Sequence, residues 1–390
     1  MKLQSIFLIG LMLPLWSLDS AIGTFNAKVE LFHCSVNSCD EDDAKDSYAT
    51  VLGGYLSYRS KPLWGFGVEI KHYYTHPIFS SQNPDKTSLT TSSGEGISPL
   101  AQLYLYYQNS FMEIRAGKQQ LNTPLINNDN TRLIPYSYDA ITAKIHLKES
   151  TTLSLGHVRR FRANNSESYT QNSSSGYAKD GVSFIGLNTR LGAVDHQWYY
   201  YHANGLYNAL HMEVKSKIAY RASTNLLYGL QAIYTFANGD GVNIDNRSNG
   251  GDDVKLLSTK VGFERGGFET DFSLSYNFGN DGMSRGYGGL ASLYTTLMIT
   301  SGKKQGKPFA KSLKFKYTYD ASTRKDAHTT ALYLSNITYD DPTFHDTNAL
   351  YIGHTFRFRP REYIQVRFEK QWVENANDKS CFRVISAYNF

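Results

Sequence analysis

Residues Cys381–Phe390 read CFRVISAYNF, and these ten positions decide how the rest of the chain is understood. Counting back from Phe390, Tyr388, Val384 and Phe382 are aromatic or apolar and Ser386 is the exception, while Arg383 and Asn389 fall between them. A period of two makes a β-strand with one greasy face and one wet face. The period recurs upstream. Leu313, Phe315, Tyr317 and Tyr319 alternate with Lys314, Lys316, Thr318 and Asp320. Leu350, Ile352, Phe356 and Phe358 alternate with Tyr351, Thr355, Arg357 and Arg359, and Ile364, Val366 and Phe368 with Gln365, Arg367 and Glu369. A dry core does not tolerate so many charges on one face. A face lining enclosed water does.

Strand-like runs follow one another with no helical period between them, near 24–34, 48–59, 64–75, 98–108, 110–119, 137–148, 151–161, 183–191, 194–202, 207–221, 225–236, 254–264, 267–278, 311–320, 328–338, 347–358, 362–373 and 381–390. That is about eighteen, an even count, as single-chain bacterial membrane barrels have. The links between them alternate in length. Short ones such as Asn109-Ser110, Glu149-Ser150 and Glu264–Gly267 separate long polar ones at 76–97, 120–136, 162–182, 237–253 and 279–310. A membrane barrel sorts its connections this way, turns on the periplasmic side and loops outside; a soluble sandwich has no reason to. The expected fold is all-β, a transmembrane antiparallel β-barrel of about 18 strands. Tyr73, Tyr74, Tyr106, Tyr107 and Tyr199–Tyr201 suit its interfacial aromatic girdles.

Bulk composition agrees. The 390 residues are 41% hydrophobic, with Tyr 29 and Phe 21 far above Trp 4. Mean hydropathy is negative, which a membrane barrel permits because only alternate residues meet lipid. A net charge of +5, spread thinly, excludes a nucleic-acid binder. Lys2 precedes the apolar run Ile6–Trp16, and Ala21 and Gly23 are small, so residues 1–23 are expected to be a signal peptide and 24–390 the barrel domain. No later stretch approaches the 18 apolar residues of a membrane helix. Of three cysteines, Cys34 and Cys39 are close enough for a small disulfide staple in an oxidising compartment, leaving Cys381 as a packed residue.

A terminal strand ending on Phe390 resembles the C-terminal strand of bacterial outer-membrane barrels. The resemblance implies that Phe390 is an assembly signal for the barrel-assembly machinery and that the strand closes against the first one. Two further stretches narrow the family. Asp46–Ile78 (DSYATVLGGYLSYRSKPLWGFGVEIKHYYTHPI) and Gly117–Ala140 (GKQQLNTPLINNDNTRLIPYSYDA) resemble OprD-like porins, notably their epsilonproteobacterial branch. In that family the loop carrying the second motif folds into the barrel as a constriction. The matching positions are Gly117, Lys118, Thr123, Pro124, Leu125, Arg132, Leu133 and Pro135. The family follows this proline with an aromatic residue and glycine, whereas Tyr138-Asp139-Ala140 stands here. Pro124 and Pro135 stiffen the two limbs and Asn127–Asn130 favour turns. Arg132 serves either to anchor the loop to the wall or to touch the solute.

Parity assigns the wet face. Its candidate pore-lining residues are Glu69, Glu113, Lys144, His146, Lys314, Lys316, Arg357, Arg359, Arg367, Glu369 and Arg383, with Lys215, Lys217, Glu213, Asp271 and Asp320 beside them. Opposed rows of unlike charge hold a transverse field across a pore and orient charged solutes. The resemblance implies a row of basic residues that guides carboxylates, and so a porin in the outer membrane of a Gram-negative cell, set among lipid and lipopolysaccharide. Its expected partners are small hydrophilic solutes such as amino acids, small peptides, carboxylate-bearing molecules and ions. Monomer and homotrimer both stay open. The rival reading is a surface adhesin, from the Ser/Asn/Gly-rich loops 162–182 and 237–253. An enzyme is not expected, since no motif ties His72, His157, His211 or His354 to a nucleophile. No cofactor is called for, and the acidic runs Asp40–Asp43 and Asp252-Asp253 lack a spaced metal-ligand set.

Overall fold

The structure is a computed structural model that describes residues 19–20, 22–37, 46–173, 176–177, 180–221, 223–238, 251–283, 285–296, 307, 309–320, 327–359 and 361–390. The signal-peptide stretch up to residue 18, Cys39 and the run Asp40–Asp43 lie outside the described residues. Eighteen strands make the wall: β1 Gly23–Asn37, β2 Ser47–Ser60, β3 Phe66–Ser80, β4 Leu100–Gln108, β5 Met112–Gln119 and β6 Ser137–Lys148. They continue as β7 Thr151–Arg162, β8 Val182–Leu191, β9 Val194–His202, β10 Tyr207–Arg221, β11 Thr224–Ala237 and β12 Lys255–Arg265. The last six are β13 Phe268–Asn277, β14 Ala310–Asp320, β15 Ala327–Tyr339, β16 Thr347–Arg359, β17 Glu362–Val373 and β18 Lys379–Asn389.

Every strand pairs antiparallel with its neighbours in sequence, and β1 pairs with β18, so the sheet closes into a barrel. Closure begins with Lys28 opposite Asn389 and runs to Asn37 opposite Ser380. The backbone nitrogen of Phe390 adds a bond of 2.8 Å to the Ala27 carbonyl. A closed sheet leaves no unpaired edge, which is the condition for crossing hydrocarbon with strands. No helix among the described residues is long and apolar enough to cross a membrane.

The two faces separate as the alternation requires. Leu105 (68% exposed), Ile141 (61%) and Leu230 (50%) stand on the outside with Phe272, Leu274, Leu334, Ile352, Phe368 and Phe382. Large apolar side chains left so bare are placed for lipid. Tyr104, Tyr106, Ser154, Ser258, Ser273 and Arg383 occupy the intervening inner positions and are buried. Pro77 sits inside β3, where the sequence suggests a loop, because a register shift between Thr50 and Val51 lets the ladder absorb the missing amide donor.

Part of the inner face is packed rather than bathed. One apolar cluster joins Phe32, Cys34 and Val36 of β1, Ala49 and Val51 of β2, and Cys381, Ile385 and Ala387 of β18 to Leu89, Ile97, Leu133 and Ile134. A second joins Leu125 and Ile126 to Tyr138, Val158, Tyr199, Tyr201 and Tyr207 of the wall and to Met283, Tyr287 and Leu293. In both, the non-wall members come from segments between strands, so those segments lie inside the barrel.

Candidate constriction and pore lining

The segment 120–136, between β5 and β6, crosses the lumen. At one end Tyr201 of β9 uses its hydroxyl twice, donating to Thr123 Oγ1 at 2.9 Å and accepting from the Leu125 amide at 3.2 Å. At the other end Arg383 of β18 donates Nη1–H to the Thr131 carbonyl at 2.8 Å. Strands β9 and β18 stand half the ring apart, so the segment runs from wall to opposite wall. Its return limb is held by Arg162, fully buried, which donates to Pro135 O at 2.5 Å and to Ser137 Oγ at 2.9 Å, and also to the carbonyls of Ala163 and Ser166. Pro135 therefore acts through its carbonyl as well as its ring. Leu125 is buried in the second apolar cluster, and Pro124 sets the turn before it.

Arg132 is an anchor. Its Nε donates to Thr87 O at 2.6 Å, tying the crossing segment to the loop 81–99, itself inward and buried at Leu89 and Ile97. The partner is a backbone carbonyl of a neighbouring inward loop, not a group of the wall. Lys118 departs from expectation altogether. It pairs in register with Leu103 and Asp139, on the face that carries exposed Leu105 and Ile114, and its ammonium lies 5.0 Å from the Tyr169 ring. The residues that follow Gly117 in alternation face inward at Gln119, so Lys118 must face outward.

A second segment, 279–296, also folds inward, where the sequence suggests only an external loop. Gly288 receives Ile126 in a parallel bridge, and the Asn127 amide nitrogen donates to the Gly288 carbonyl at 3.1 Å. Asn127 Nδ2 adds a bond of 2.8 Å to Leu290 O, and the Tyr287 hydroxyl reaches Tyr207 O at 2.7 Å. Gly289 has φ +87, and a Cβ there would stand 2.3 Å from Asn127 Oδ1. Tyr294 extends over Lys260 of β12 at 5.0 Å and donates to Glu213 at 2.8 Å. The signal was present: Met283, Tyr287, Leu290, Ala291 and Leu293 make 283–293 too apolar for a solvated tip.

The parity-assigned residues all stand on inner positions or at the periplasmic rim, in three groups. Across β2–β5, Arg59 bridges Glu69 at 2.8 Å and Glu113 at 3.3 Å, Arg115 meets Glu113 at 2.8 Å, and the Tyr104 hydroxyl donates to Glu69 at 2.6 Å. Lys144 pairs in register with Glu113, and His146 contacts Thr152 at 3.3 Å. Across β13–β14, Lys316 pairs with Glu269 and lies 3.7 Å from Asp271, while Lys314 donates to Thr296 O at 3.3 Å beneath the second segment. At the rim Arg359 meets Glu362 at 3.6 Å and Arg357 reaches Thr329 at 3.3 Å.

The third group is cationic. Arg367 of β17 and Arg383 of β18 face each other in register, with Arg132 close enough to repel Arg383. Arg367 keeps its Nε without a hydrogen-bond partner. Arg383 and Glu369 are fully buried and Lys314 nearly so, with the inward segments covering Arg383 at Thr131 and Lys314 at Thr296. Cys34 is a buried cysteine beside Cys381, because alternation along β1 turns it inward toward β18, while Cys39, its expected partner, lies outside the described residues. Among the described residues no cluster of three or more His, Cys, Asp and Glu is suited to a metal.

The architecture is thus an 18-strand barrel narrowed by inward segments. The family described as outer membrane porin, OprD family, matches residues 55–324. The chain belongs to the OprD family of outer membrane porins. Solved barrels of similar fold include Acinetobacter baumannii OccAB4, with TM-score 0.80 at 16% identity, covering 95% of this chain and 99% of that one. Pseudomonas aeruginosa OccK9 (OpdG) has TM-score 0.83 at 15% identity over 95% and 98% of the two chains. Pseudomonas aeruginosa OpdK, solved with vanillate, has TM-score 0.78 at 12% identity over 95% and 98%. No curated protein matches the sequence. The porin thus resides in the outer membrane of a Gram-negative bacterium, in a family of channels rather than enzymes.

Proposed function

We propose that this porin passes small hydrophilic solutes bearing a carboxylate, amino acids and short peptides among them, by diffusion through a constriction that Arg367 lines. The observation that carries the reading is the cluster of three guanidinium groups where the crossing segment meets β17 and β18. Arg367 is only partly buried there, and its neighbours Arg383 and Arg132 add positive field. A carboxylate accepts two parallel N–H bonds from one guanidinium, so such a group recognises its plane as well as its charge. Along the wall on either side of that cluster, the triads Glu69–Arg59–Glu113 and Glu269–Lys316–Asp271 supply both signs, the arrangement that turns a zwitterion. Residues 1–23 act as the export signal on this reading.

The test is ion selectivity in planar bilayers across a salt gradient. Reversing the charge at Arg132 and Arg367 together (Arg132→Glu with Arg367→Glu) shifts the reversal potential toward cation preference and slows liposome swelling in acidic amino acids relative to a neutral sugar. Unchanged selectivity and conductance defeat the proposal. Because Arg132 anchors the loop, Arg367→Gln alone is the control that keeps the anchor.

A further inference from the structure

We propose that Cys34 and Cys381 form a disulfide that stitches the first strand of the barrel to the last. The register places Cys34 opposite Arg383 and Cys381 opposite Val36, so the two cysteines occupy diagonal positions on one face of the closing strand pair. Both face inward and both are buried, Cys34 at 0% and Cys381 at 1% exposure. Their thiols neighbour each other. Two guanidinium groups, of Arg383 and Arg132, stand beside them. The chain is an outer-membrane protein, so it passes through a compartment where disulfides form and persist.

The oxidant is a protein disulfide of the periplasm or, in a test tube, oxidised glutathione. The Cys34 thiolate attacks one sulfur of that disulfide; its S–S bond breaks, and one oxidant thiolate leaves and takes up a proton. The Cys381 thiolate then attacks Cys34 Sγ of the mixed disulfide and expels the second oxidant thiolate, which also takes up a proton. Two cysteine thiols have lost two electrons, and one oxidant disulfide has become two thiols. Burial in the closed barrel keeps an oxidant out, so the second step belongs to the moment when β18 zips onto β1. Diagonal neighbours across an antiparallel pair stand roughly 7–8 Å apart, beyond the usual disulfide span of about 4.4–6.8 Å between Cα atoms. Closing the bond therefore needs a small shift of the two strands along each other.

The test is peptide mapping by mass spectrometry of the protein extracted from outer membranes without reductant and alkylated with iodoacetamide after denaturation. The expected product is a linked peptide pair carrying Cys34 and Cys381, with Cys39 alkylated, and dithiothreitol releases both halves. Alkylation of all three cysteines before reduction overturns the proposal, as does a Cys34–Cys39 link. In Cys39→Ser the competing thiol is gone; the Cys34–Cys381 peptide should remain at full yield, and its absence there also overturns it. As a second readout, the oxidised barrel keeps its folded mobility in detergent gels at a temperature that unfolds the reduced one.

Discussion

Arg162 shows how one side chain fixes the geometry of a pore it does not line. It is wholly buried, with its nitrogens spent on Pro135 O, Ser137 Oγ, Ala163 O and Ser166 O. Each carbonyl left without a donor in a dry setting costs about 1–3 kcal/mol. Arg162→Leu should therefore free the return limb of the crossing segment, lowering the temperature at which the barrel loses its compact gel mobility and raising single-channel conductance. A lower unfolding temperature with unaltered conductance would separate anchoring of the wall from anchoring of the constriction. At this scale the sequence was legible in direction but not in environment. Alternation correctly sends Glu69, Lys314, Arg367 and Arg383 inward, because backbone pleat alone decides that. It says nothing of what lies on top of them, so the burial of Arg383, Lys314 and Glu369 could not be read. Lys118 differs for the opposite reason: the family motif puts it in the constriction, but it stands one step from the inward Gln119 and so faces outward.

The elements divide by how local their causes are. Strand limits follow the sequence within a few residues wherever alternation is clean, as in β14, β16 and β17. They drift where a strand outruns its apolar pattern: β1 continues to Asn37 and β3 to Ser80, through His76 and Pro77. The crossing segment was expected from its motif. Its companion 279–296 was not, because link length reports which side of the membrane a loop lies on and not whether it turns inward. The contact between the two segments is tight at Gly289, whose positive φ and lack of Cβ leave room for Asn127. Gly289→Val forces a side chain against Asn127 Oδ1 and strains the backbone, so the segments should part. The expected result is a barrel that still assembles, since no strand is touched, with larger and noisier single-channel currents. Currents identical to the parent's would show that the contact does not set the opening.

For the molecule as a whole, closure is the step on which everything waits, since β1 and β18 are the most distant strands in sequence and must pair last in any ordered growth of the sheet. Loop-closing entropy grows only slowly with length, so the distance is tolerable, but the register must be found once and held. Phe390 sits at that seam, its amide bonded to Ala27 O at 2.8 Å and its ring 4.5 Å from Tyr388. Removing Phe390 should cut the fraction of heat-modifiable, membrane-inserted barrel several-fold while leaving the conductance of the surviving channels unchanged, measured by cold and boiled gel lanes alongside bilayer recordings. A normal yield of folded barrel would dismiss its role as an assembly signal.

The segment joined to Tyr201 on one wall and Arg383 on the other has a mechanical consequence. A beam clamped at both ends cannot swing like a door; it can only bow at mid-span. Such a channel has no hinge about which to shut, so its electrical record should show brief partial flickers around one open level instead of long complete closures.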